Sequence, residues 1–127
     1  MAVFLWTERM ELNEKIEAIA EEYGFDIQAV KLAEECAEYA AISLKILYYR
    51  LLLDHSDRLG LDPDIVSQKL DEAREKGTGE LTDVLLLSRQ VEYFINQHKE
   101  SKETMDKLMS EKADRQLERI KESSKNE

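Results

Sequence analysis

Two pairs of acidic residues, Glu35/Glu38 and Glu80/Asp83, stand three apart within stretches that are otherwise apolar. Carboxylates at i and i+3 project from one side of a helix. Two such helices facing each other would make an all-oxygen box. That donor set suits Mg²⁺, with Mn²⁺ as the alternative of the same type, and such cations neutralise phosphate oxygens during hydrolysis of a phosphoanhydride. A di-iron box needs Glu-x-x-His pairs. Neither His55 nor His98 follows a glutamate by three residues.

Spacing by itself says little, because Glu8/Glu11, Glu14/Glu17, Glu72/Glu75 and Glu103/Asp106 share it. Pairs of that kind are ordinarily solvated helix faces. The face occupied separates the first two pairs from the rest. Counting about 100° per residue from Glu35 puts Glu38 near −60°, Ile42 near −20°, Ile46 near +20° and Tyr49 near −40°. The same offsets from Glu80 reach Asp83, Leu87, Val91 and Phe94. Both acid pairs thus continue a stripe that should face the core. Four buried carboxylates would cost many kcal/mol without compensation, so they must be protonated, paired with cations or bound to metal. A competing account pairs Glu35 and Glu38 with Lys31 and Lys45, and leaves Glu80 at a helix start that favours an acid.

The elements that hold these residues read as helices throughout, giving an all-α bundle of four to five helices. The first spans about Thr7 to Tyr23, capped by Thr7, with an apolar stripe through Met10, Leu12, Ile16, Ile19 and Ala20. Gly24 ends it. Asp26 caps a long second helix reaching about Asp54, with Val30, Leu32, Ala33, Ala37, Ile42, Ile46 and Leu53 as its apolar residues. His55 to Leu61 is a loop. Asp62-Pro63 starts a third helix, which Gly77 stops after Lys76. A fourth runs from about Glu80 to His98, and Ser101 caps a last one to about Glu122, beyond which Ser123 to Glu127 should fray. Whether the second and fourth helices run parallel or antiparallel is open at this point.

Composition agrees with helices: 43% of the 127 residues are hydrophobic and 36% charged, with only four glycines and one proline. The formal charge of −10 argues against a nucleic-acid partner, whose binders present basic surfaces. It admits a nucleotide that arrives as its Mg²⁺ complex. One cysteine, Cys36, excludes an internal disulfide framework and reads as a small core residue. No apolar run approaches the roughly 20 residues of a membrane span, and the N-terminus carries no signal-peptide pattern. A cytoplasmic protein of one domain, residues 1–127, is the expectation.

The run Lys31-Leu32-Ala33-Glu34-Glu35-Cys36-Ala37-Glu38, followed by Glu80-Leu81-Thr82-Asp83-Val84-Leu85, resembles the EExxE…ExxD signature of the MazG-like, all-α nucleoside triphosphate pyrophosphohydrolases. The resemblance covers about residues 26–98. It implies Mg²⁺-dependent cleavage of a (deoxy)nucleoside triphosphate to monophosphate and pyrophosphate, serving nucleotide-pool housekeeping. Glu35, Glu38, Glu80 and Asp83 match the family's catalytic metal-binding positions, and Glu34 the additional acid of its first motif. Relatives of this fold form dimers or tetramers, so a homodimer or homotetramer is implied. The interval between the motifs, Tyr39 to Gly79, is longer than in compact members, which makes the helix over 63–76 an insertion. Two other readings stand beside this one: a non-enzymatic helical interaction module, and a metal-binding relative that has lost catalysis.

Basic groups that could hold a triphosphate are Lys31, Lys45 and Arg50 on the second helix, and Lys112, Arg115 and Arg119 on the last. Arg115 and Arg119 are one turn apart, as a bidentate phosphate clamp requires. Pairing with Glu111, Glu118 and Glu122 competes for them. Phe4 and Trp6 are candidate base-stacking residues, or hydrophobic anchors.

Overall fold

The computed structural model describes residues 10–125, and every regular element among them is a helix. These are α1 (Leu12–Tyr23), α2 (Phe25–Asp54), the single turn α3 (Ser56–Leu59), α4 (Pro63–Asn96) and α5 (Lys99–Lys125). Thr7, Glu8, Phe4 and Trp6 lie outside the described residues. The chain divides into two compact units, one running to Val91 and the other beginning at Glu92.

In the first unit, α1 buries Ile16 and Ala20, one turn apart, while Leu12 and Ile19 stay exposed. Gly24 then turns the chain with φ +84°, its N–H donating to the Ala20 carbonyl. A side chain would be strained at that φ, and glycine lets α2 begin one residue later. Asp26 consequently sits in the first turn of α2, and Gly24 takes the cap position expected for the aspartate. The 30 residues of α2 span about 45 Å. The segment 55–61, expected as a loop, contains the turn α3, which buries Ser56.

At Asp62-Pro63 the start signal works as read: the Asp64 N–H donates to Asp62 Oδ1 at 2.9 Å, and the proline occupies the first helical position. Gly77 does not stop the helix it opens. Instead α4 continues for 34 residues, so the expected helices over 63–76 and 80–98 are one element. The reason is packing. Gly77 is buried against α2, where a Cβ would stand 2.9 Å from Ile46 Cδ1 and 3.9 Å from Ile42. The missing side chain leaves room for the Ile46 side chain, and Val66, Leu70, Ala73 and Gly77 form the buried stripe of α4.

Cross-helix contacts fix the direction of this pair. Gln28 meets Gln90, Glu38 meets Glu80, Ile46 meets Gly77, and Tyr49 shares a recess with Lys69. Numbers rise along α2 as they fall along α4, so the helices are antiparallel. The register repeats every seven residues, the period of a coiled-coil seam. Gln28, Glu35, Ile42 and Tyr49 on α2 go with Gln90, Asp83, Lys76 and Lys69 on α4.

The second unit holds the end of α4 and all of α5. No residue of α5 is buried. Ion pairs one turn apart run along it, from Lys99 to Glu103, Lys102 to Asp106 and Lys107 to Glu111. The helix persists to Lys125, past the Glu122 end expected from its sequence.

Candidate functional site

Glu35 and Glu38 leave α2 on the side turned to α4, and Glu80 leaves α4 toward them. One carboxylate oxygen from each lies within 4.8 Å of the others. Glu35 and Glu80 are half-buried and Glu38 is exposed. The heptad register explains the placement: the acids occupy seam positions that would hold apolar side chains in an ordinary helix pair. Asp83 is exposed, yet its charge bears on both Glu35 and Glu80.

The electrostatics follow from crowding. Partial burial, then the charges of Glu38, Asp83 and Glu80, then a hydrogen bond to Glu38 push the Glu35 carboxyl above the ordinary glutamate range. Glu80 is raised likewise by burial, by the Glu38 charge and hydrogen bond and by Asp83, with Lys76 opposing. Two carboxyl groups hydrogen-bond each other only when one of them carries a proton. Glu35 Oε2 is shut off from solvent and has no hydrogen-bond partner among the described residues. A buried oxygen of that kind is costly unless a proton or cation meets it.

The acids open into a groove of about 400 Å³, lined by Glu38, Ala41, Ile42, Lys45, Lys76 and Glu80. Beside it, Lys45 and Lys76 also border a smaller recess of about 200 Å³ with Tyr49 and Lys69. The alternating order along the seam is therefore amides at Gln28 and Gln90, carboxylates next, then lysines.

Of the expected residues, Glu35, Glu38 and Glu80 come together, Asp83 stands beside them, and Glu34 is exposed on α2 outside the cluster. Among the basic candidates only Lys45 lines the groove. Lys31 sits with its Nζ 3.8 Å from the centroid of the Tyr23 ring, a cation–π contact rather than an ion pair with Glu35. Arg50 is exposed. Lys112, Arg115 and Arg119 belong to the second unit, where the Arg115 Nε donates to the Glu111 carbonyl of its own helix. Cys36 is exposed, not a core residue, because it points about 100° away from Glu35 and off the seam.

Sequence reasoning missed Lys76 and the buried Gln28–Gln90 pair. Their signal is the seven-residue spacing from Asp83 to Lys76 and to Gln90, which has meaning only once the antiparallel register is known. No protein-family model, curated protein or solved structure matches the chain.

Proposed function

We propose that this chain is a Mg²⁺-dependent nucleoside triphosphate pyrophosphohydrolase, acting on a (deoxy)nucleotide to give the monophosphate and pyrophosphate. The observation that carries the reading is the convergence of Glu35, Glu38 and Glu80, two of which, Glu38 and Glu80, line a groove of about 400 Å³. It agrees with the resemblance of the two acidic motifs to the MazG-like enzymes.

The residues fit a hard divalent cation. They are all oxygen donors, and the buried, partnerless Glu35 Oε2 is an acceptor that a cation would satisfy. Glu35, Glu38, Glu80 and Asp83 would hold it. When bound, Mg²⁺ would neutralise phosphate oxygens and favour a deprotonated water nucleophile. The carboxylates themselves orient that water and accept its proton, and the raised proton affinity of Glu35 and Glu80 suits those two to general-base work. In the rival, non-enzymatic reading, lysines neutralise the acids; the contact of Lys31 with Tyr23 takes one of those lysines away.

We assign a second copy of the chain to the apolar flank of α2. Val30, Leu44, Leu47, Tyr48 and Leu51 are all more than half exposed there. A helix apolar around most of its circumference is normally covered, and a homodimer or homotetramer would cover it.

The deciding experiment measures pyrophosphate release from a panel of nucleoside and deoxynucleoside triphosphates, with Mg²⁺ and with EDTA. Metal-dependent release from one or a few nucleotides supports the reading. Silence across the panel from folded protein transfers it to a binding module or an inactive relative.

A further inference from the structure

Phosphoanhydride cleavage needs more than a cation: the departing phosphates carry charge that the protein must hold. The four acids cannot supply this, and the net charge of −10 opposes it. Cationic groups have to be local, and the seam brings them together beside the acids. Lys45 from α2 and Lys76 from α4 enter the same groove as Glu38 and Glu80. They reappear with Lys69 in the adjoining recess.

Helical ion pairing accounts for only part of this cluster. Lys76 stands one turn from both Glu72 and Glu80, and its charge opposes the shift of Glu80. Glu72 lines the recess too, and accepts a hydrogen bond from Gln68 Nε2. Lys45 is different: at three and four residues on either side it has Ala41, Ile42, Tyr48 and Tyr49, none of them charged. Among the described residues neither Lys45 nor Lys76 forms an ion pair within 4.0 Å. Two ammonium groups thus converge on one groove from facing helices, and an anion reaching both would remove their mutual repulsion.

We infer that Lys45 and Lys76, with Lys69 behind them, form the subsite for the terminal phosphates of the substrate, which leave as pyrophosphate. This rests on the hydrolase reading and gives it a direction. The phosphate tail lies along the seam from the carboxylates toward Tyr49 and Lys69. The nucleoside then extends the opposite way, toward the Gln28–Gln90 end. Lys45 lies seven residues, about 10 Å of helix, beyond Glu38, within reach of a tail anchored at the acids because both side chains line one groove.

The test is calorimetric binding of imidodiphosphate, a pyrophosphate analogue that resists hydrolysis, to the full chain with Mg²⁺. Lys45→Ala and Lys76→Ala should each weaken binding about tenfold, the loss of a charge-assisted contact to phosphate, and Lys45→Arg should restore most of it. Mn²⁺ binding followed by electron paramagnetic resonance should persist in both alanine variants, which shows that the acids and fold are intact. Absence of binding to the wild-type chain, or equal affinity in the alanine variants, overturns the subsite. Nucleotide turnover is read separately. Turnover with lysine-independent imidodiphosphate binding rejects the subsite and keeps the hydrolase. Lysine-dependent binding with no turnover of any nucleotide keeps the subsite and rejects the hydrolase.

Discussion

Gly77 of α4 lies so close to Ile46 of α2 that a Cβ at position 77 would stand 2.9 Å from Ile46 Cδ1. Three residues further along α4, Glu80 meets Glu38. The Gly77–Ile46 contact and the carboxylate cluster are therefore neighbours on one seam. Gly79, two residues away, has no such neighbour among the described residues within 4 Å of its would-be Cβ.

These two glycines make a controlled comparison. Alanine gains about 1 kcal/mol of helix propensity over glycine, so Gly79→Ala should stabilise the chain by about that amount. Gly77→Ala should gain less, because Ile46 Cδ1 must swing aside. Gly77→Leu should destabilise by about 1–3 kcal/mol through overpacking. Urea denaturation of the three variants checks the ordering, and an equal gain from both alanines would show that Gly77 is not a contact position.

At the far end of the seam the Gln28 Nε2 donates to Gln90 Oε1, with both residues almost fully buried and Gln28 Oε1 left without a partner among the described residues. Gln90→Leu should cost about 1–3 kcal/mol, since it strands the remaining amide. The double variant Gln28→Leu/Gln90→Leu should recover much of that loss, because both polar groups go together. A double-mutant cycle in denaturant measures the coupling; simple additivity would mean that the two amides do not act as a pair.

The sequence was readable wherever apolar period and caps agreed. Residues 63–64 behaved as their start signal required, and the face arithmetic that joined Glu35 to Ile42 and Tyr49 is the seam itself. It misled where one residue type has two physical uses. Gly77 reads as a stop because glycine is a poor helix former, yet here its missing side chain makes room for Ile46, and only the partner helix reveals that. Cys36 was misplaced because its burial depends on which side of α2 is covered. Glu35, Glu38 and Glu80 were legible as a cluster, whereas Lys76 was not, since its relation to Lys45 exists only across the antiparallel pair.

The exposed flank of α2 gives a prediction about assembly. Leu44, Leu47, Tyr48 and Leu51 recur at i, i+3, i+4 and i+7 and so share one face. Leu44→Glu and Leu51→Glu place a charge there without touching Ile42 or the acids. Both variants should lower the mass seen by sedimentation equilibrium to that of one chain, with helicity retained. An unchanged mass would remove this face from the interface.

Substituting the acids addresses the chemistry. Glu38→Gln and Asp83→Asn keep size and remove charge, so helicity should be unchanged. Turnover should fall by roughly 100-fold or more in each, on the scale of losing a positioned acid–base or metal-holding group. Pyrophosphate release by both variants at wild-type rates would defeat the four-carboxylate mechanism.

The raised proton affinity of Glu35 and Glu80 predicts how stability depends on pH. Above the ordinary glutamate range and up through the raised values, the folded chain holds protons that the unfolded chain has released. Stability of the metal-free chain should therefore fall as pH rises through that window. The cause is first the burial of Glu35 and Glu80 and then the charges of their acidic neighbours. A divalent cation needs those same carboxylates deprotonated, so its stabilising effect should grow in the same direction. Thermal unfolding between about pH 5 and about pH 8, with EDTA and with Mg²⁺, separates the two curves. The EDTA curve should decline with pH while the Mg²⁺ curve stays flatter, and Glu35→Gln should lessen both the decline and the metal response. Parallel curves with and without Mg²⁺ would mean that protons alone compensate the cluster, and would leave the acids without a metal to hold.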